Sequence, residues 1–145
     1  MVGIVITGHG EFAEGMLSAV TLLCGEQENV VTVGLHLGDD PAAFKDKVAQ
    51  GIHDVDTGDG VLVLVDLFGG TPSNSATLLV HEWNRDDIYA LAGINLPMTL
   101  EAIFERDGLS AGELTSHIKE VAPGTLVDIR ERIGLVSDEG VAKSV

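Results

Sequence analysis

The apolar positions fall into four short runs, each followed by a stretch in which they recur every three or four residues. Residues 61–65 (VLVLV) form the clearest run, five apolar side chains with no polar alternation. A strand buried on both faces reads this way, as in the middle of a parallel sheet. Residues 2–7 (VGIVIT), 30–37 and 88–94 (IYALAGI) read as three further strands. After the first of them, Phe12, Ala13, Met16, Leu17, Val20, Leu23 and Cys24 share one helical face, and Gly25 ends the helix. Asp40 and Pro41 open a second helix as cap and first-turn proline, with Phe44, Val48 and Ile52 as its apolar stripe. Gly58 and Gly60 frame the turn into residues 61–65. Thr71 and Pro72 open a third helix as cap and first-turn proline, and it buries Ala76, Leu79, Val80 and Trp83. A fourth starts at Asn95-Leu96-Pro97, with Leu100, Ile103 and Phe104 inward. Ser110 and Glu113 have capping-box spacing and open a fifth through Leu114, Ile118 and Val121, which Pro123-Gly124 stops.

The end of the chain is patterned differently. In residues 127–133 (VDIRERI), Val127, Ile129 and Ile133 alternate with Asp128, Arg130 and Arg132. Such a strand is buried on one side only, and an edge position antiparallel to the others is expected. Residues 136–145 read as a flexible tail, which leaves one domain over residues 1–135. Strand–helix alternation predicts an α/β fold, an open doubly wound and mainly parallel sheet with right-handed crossovers and helices on both faces. With so few strands the expected order is 2-1-3-4, and its switch point lies between the first and third strands.

Composition narrows the functions open to this fold. A chain of 145 residues, 45% of them hydrophobic, can bury a core as a single domain. Lys and Arg number 8 against 23 Asp and Glu, for a formal charge of -15. That surface repels phosphate backbones, which argues against nucleic acid and suits a protein partner with a basic face. The single cysteine, Cys24, cannot form an intrachain disulfide and fits a reducing cytoplasm. The start, MVGIVITG, has neither the basic leader of a signal peptide nor the length of a membrane span.

The 2-1-3-4 order sets the end of the first strand, Gly8-His9-Gly10, beside the end of the third, Asp66 to Thr71, across one crevice. A carboxylate bonded to one imidazole nitrogen fixes the tautomer and leaves the other as a nucleophile. Helix N-termini suit a bound phosphoryl group, and glycines beside a histidine let the backbone come close. His9 and Asp66 are therefore the candidate catalytic pair, with Gly10, Gly70, Thr71 and Ser73 as candidate phosphoryl-binding residues. The set fits a histidine that carries a phosphoryl group transiently, with no cofactor and no metal. No GxSxG elbow or HExxH spacing occurs, and His36, His53, His81 and His117 are scattered as surface or helix-face residues. Gly8 to Ala13 formally matches a GxGxxA dinucleotide fingerprint, but the acid expected at the end of strand two is missing.

Four spaced motifs also carry a family resemblance: VITGHGEFAEG, LLCGEQENV, LVDLFGGTPSN and AGINLPMTLE. Together they resemble the IIA component of the mannose-family bacterial phosphoenolpyruvate-dependent sugar phosphotransferase system, over residues 1–130. The resemblance implies a cytoplasmic phosphocarrier that takes a phosphoryl group from HPr and passes it to a IIB component. Sugar uptake with phosphorylation then runs through the membrane components IIC and IID. It places the phosphohistidine on His9, the orienting aspartate on Asp66, and the family's hydroxyl beside the glycine pair, usually serine, on Thr71. It also implies a homodimer that exchanges its last strand, residues 127–133. No fused IIB domain is present, which implies a separate IIB chain, and Phe68 stands where some members carry tryptophan, a change that touches packing or docking. The phosphotransfer subunit of dihydroxyacetone kinase is the alternative; the DLFGGTPSN turn favours the sugar system.

Overall fold

A computed structural model describes residues 1–135, so the expected tail at 136–145 lies outside the described residues. Four parallel strands make one sheet: β1 (Gly3–His9), β2 (Val30–Leu35), β3 (Val61–Val65) and β4 (Ile88–Ala92), in the order β2-β1-β3-β4. This is the expected order. Between and after them come α1 (Phe12–Cys24), α2 (Pro41–Val55), α3 (Gly70–Trp83), α4 (Leu96–Glu105), α5 (Ala111–Val121) and the single turn α6 (Ile129–Arg132).

The unbroken apolar run in β3 follows from the layering. Side chains alternate across a strand, so Leu62 and Leu64 enter one core while Val61, Val63 and Val65 enter the other. α1, α4 and α5 cover the first face, and α2 and α3 cover the second. All five residues of β3 are 0–1% exposed. Three caps form as their residues imply. Asp40 accepts from Ala43 N at 3.0 Å and Asn95 from Met98 N at 2.9 Å, while Ser110 and Glu113 close a reciprocal capping box at 3.2 Å.

Several expectations need correction. α3 begins one residue before Thr71, and its cap is Gly69 at φ 104°, which bonds through no side chain. The chain turns through two positive-φ glycines, Gly69 and Gly70, directly into the first turn of α3, so Thr71 already lies inside the helix and not at its cap. Leu23 and Phe104 are 60% and 63% exposed rather than inward. Each stands one residue, about 100° of helix, from a neighbour that does pack, Cys24 and Ile103 respectively. β2 and β4 end two residues earlier than expected, while β1 runs two residues further because Gly8 and His9 pair with Gly34 and Leu35. No strand forms in residues 127–133. Asp128 accepts from Glu131 N at 3.2 Å, so an Asp-x-x-Glu cap winds the segment into α6. Alternation specifies a strand only where an edge pairs with it, and within the described chain none does. Its apolar residues are left in solvent, with Ile129 73% and Ile133 66% exposed.

Candidate active site

β1 and β3 are neighbours in register, with Thr7 opposite Val65, so the residues that follow each pair meet at the carboxyl end of the sheet. His9 is the last residue of β1 and half exposed; the Asp66 side chain, just past β3, is only 8% exposed. Asp66 Oδ2 accepts from His9 Nδ1 at 2.8 Å and from His9 N at 2.9 Å. Its Oδ1 accepts from Leu67 N at 2.8 Å. The carboxylate thus grips both the backbone and the ring of the same histidine. Burial works against the charge on Asp66, but the hydrogen bonds from His9 and Leu67 outweigh it and hold the carboxyl below its ordinary range. With a proton shared between Nδ1 and Asp66, the lone pair of His9 lies on Nε2.

Gly70 lies beside that nitrogen and keeps the space next to it free of a side chain. It has φ +79°, and a Cβ there would lie 3.0 Å from His9 Nε2. The first turn of α3 consequently abuts the free face of the imidazole, at the positive end of a 14-residue helix. Pro72 lies in this first turn and has no N–H to offer, so Gly70, Thr71 and Ser73 carry its donors. Gly10 plays another part, since its N–H is committed to Leu35 O at 2.7 Å. At φ +56° it turns the chain from β1 into α1. Thr71 lines a groove with Pro41, Ala42 and Lys45. Ser73 is 4% exposed and lines the groove on the β4 side of α3. The structure therefore brings His9, Asp66 and Gly70 together, and sets Thr71 and Ser73 in grooves on either side of α3.

Around the pair, sequence reasoning singled out Phe68 for packing or docking but passed over Leu37 and Leu67. Leu37, Leu67 and Phe68 are 107%, 49% and 85% exposed on loops at the same end of the sheet. Apolar side chains held out on ligand-end loops are a signal for docking that their positions in the sequence could have given. His36, His53 and His81 are exposed, as expected, with His53 beside Trp83 at 5.1 Å between ring centroids.

The family described as PTS system fructose IIA component (EIIA-man) matches residues 3–119. The chain belongs to this family. It is 33% identical to the PTS system fructose-specific EIIA component of Bacillus subtilis over 122 residues, 84% of this chain and 82% of that protein. It is 37% identical to the mannose-specific EIIAB component of Escherichia coli over 106 residues, 73% of this chain but only 32% of that longer protein. Among solved structures, a phosphotransferase system component EIIA from Streptococcus agalactiae superposes with a TM-score of 0.83 at 31% identity, covering 90% of this chain and 99% of that one. As a IIA protein the chain is a phosphocarrier of sugar uptake, and nothing in these comparisons favours the dihydroxyacetone kinase subunit. IIA components work with HPr and IIB partners as phosphotransferases. Among the described residues, no helix is long and apolar enough to cross a membrane.

Proposed function

We propose that His9 Nε2 takes the phosphoryl group from phospho-HPr and hands it to a IIB component, with Asp66 orienting the ring. The Nε2 lone pair attacks phosphorus, the bond to the donor breaks, and the donor leaves with that electron pair. The Nδ1 proton stays between the ring and Asp66, whose charge offsets the positive charge the imidazole gains. Gly70 leaves room for the incoming group, and the N-terminal turn of α3, with Thr71 and Ser73, offers donors to its oxygens. The Nδ1–Asp66 bond at 2.8 Å supports this reading, because it engages Nδ1 and leaves Nε2 for the phosphoryl group. HPr and IIB dock over the exposed Leu37, Leu67 and Phe68, and the charge of -15 favours basic partner faces. The chain does this in the cytoplasm as one domain, with the membrane IIC and IID components reached only through IIB. Incubation with phospho-HPr should leave an acid-labile, base-stable label that chases onto IIB and is lost in His9→Ala. A label that persists in His9→Ala overturns the assignment.

We further propose a homodimer in which the C-terminal segment of one subunit covers the other. β4 ends the sheet, and among the described residues nothing pairs with its outer edge. Grooves of about 660 and about 630 Å³ flank it, one lined by Phe68, Val80 and Tyr89, the other by Leu91, Met98 and Leu126. Val127, Ile129, Ile133 and Leu135 are 49–73% exposed and need cover. Addition to β4 of a partner would unwind α6 into the alternating strand that its sequence allows. Truncation after Pro123 should reduce dimerisation and thermal stability together by light scattering and circular dichroism. A truncated protein that remains a well-folded dimer excludes the exchange.

A further inference from the structure

Away from the sheet's carboxyl end, α4 and α5 pack through buried Ala102, Ile103, Leu114 and Ile118 and hold three donors together on their outer side. Glu101 and Glu105 stand four residues apart on α4, one turn of the same face. His117 comes from α5, and its Nε2 lies 2.9 Å from Glu101 Oε2. One ligand atom from each of the three residues falls within 4.8 Å of the others. Glu120, on the His117 helix, adds a third carboxylate that acts on the imidazole. Like charges one turn apart on a helix destabilise it, and here both carboxylates face an imidazole from the neighbouring helix.

From this arrangement we infer that Glu101, Glu105 and His117 form a divalent transition-metal site clamping α4 to α5. One imidazole nitrogen and two carboxylates are a borderline donor set, which suits zinc over the all-oxygen preference of calcium or magnesium. Donors around a tetrahedral zinc at ~2.0–2.1 Å bond lengths stand about 3.4 Å apart. The His117–Glu101 pair at 2.9 Å opens to that value and rotation of the exposed Glu105 brings its carboxylate in to it, and water completes the shell. The metal replaces the proton on His117 Nε2, so one proton is released where the imidazole was charged. The three residues lie too far apart in the chain for a linear ligand spacing, and only the packing of α4 on α5 reveals them.

The test is calorimetric titration of the full chain with zinc chloride at neutral pH, with melting temperature as a second readout. One zinc should bind in the micromolar range and raise the melting temperature. His117→Ala and Glu105→Gln should each weaken binding at least ~10-fold, and acidification below the ordinary histidine range should do the same. His9→Ala should leave it unchanged, which separates this site from the phosphoryl-accepting pair. Circular dichroism verifies that the variants fold, with His117→Gln standing in if the alanine variant does not. Absence of binding in wild type, binding that survives either Glu105→Gln or the His117 substitution, or binding lost in His9→Ala overturns the site.

Discussion

Replacing Asp66 with asparagine keeps the shape of the site and removes its charge. The wild-type carboxylate is 8% exposed and accepts three hydrogen bonds, two from His9 and one from Leu67. An amide cannot reproduce that pattern. With its oxygen toward His9, its NH₂ faces the Leu67 N–H, and an unpaired buried donor costs about 1–3 kcal/mol. With its NH₂ toward His9, it pairs with an unprotonated Nδ1, the ring proton moves to Nε2, and the nucleophilic lone pair is lost. In either orientation the developing imidazolium also loses its counter-charge. At a separation of about 4 Å and an effective dielectric of about 20, that interaction is worth ~4 kcal/mol, or roughly 10³ in rate. Asp66→Asn should therefore fold, accept label on the same histidine, and do so about 10³-fold more slowly in rapid-quench reactions with phospho-HPr. A rate within about tenfold of wild type, less than ~1.4 kcal/mol, refutes the role given to the pair.

Two further expectations concern the same end of the sheet and the opposite one. Gly70→Ala sets a methyl group 3.0 Å from His9 Nε2 at a positive φ of 79°. It should cost about 1–2 kcal/mol in thermal unfolding and about 10²-fold in phosphoryl acceptance; normal acceptance would mean the group does not enter beside α3. In acid, the Gly58 N–H and then Arg85 hold the Asp56 carboxyl low, and Arg85 holds that of Asp87 low. Depressed carboxyls contribute stability that is complete above their ordinary unfolded value and vanishes as pH falls through the folded value. Urea midpoints should thus fall as pH drops from about 5 to about 2, and less steeply in Arg85→Ala; parallel curves would contradict the pairing.

Much of this was open to sequence reasoning because single local rules decided it. Asp40, Asn95 and Ser110 sit where a helix must start, and each caps as its type implies. The strand order followed from four short strands joined by right-handed crossovers, and it alone brought His9 to Asp66, 57 residues away. What escaped depended on geometry finer than periodicity. Thr71 has a cap's chemistry, but the backbone angles of Gly69 and Gly70 started α3 ahead of it. Leu23 and Phe104 have the right spacing within a generous stripe, and the width of the contact with the sheet excluded them. Residues 127–133 hold two messages, an alternating strand and an Asp-x-x-Glu cap; within the described chain the local cap prevails. The double hold of Asp66 on His9 uses a backbone N–H, which no residue type announces.

The most direct measurement is nitrogen–phosphorus coupling by NMR on ¹⁵N-labelled protein after phosphorylation by phospho-HPr. Asp66 occupies Nδ1, so the coupling should appear at Nε2 of His9, with Nδ1 still protonated and shifted by its carboxylate partner. Phosphorus bonded to Nδ1, or to any residue other than His9, would contradict the central claim.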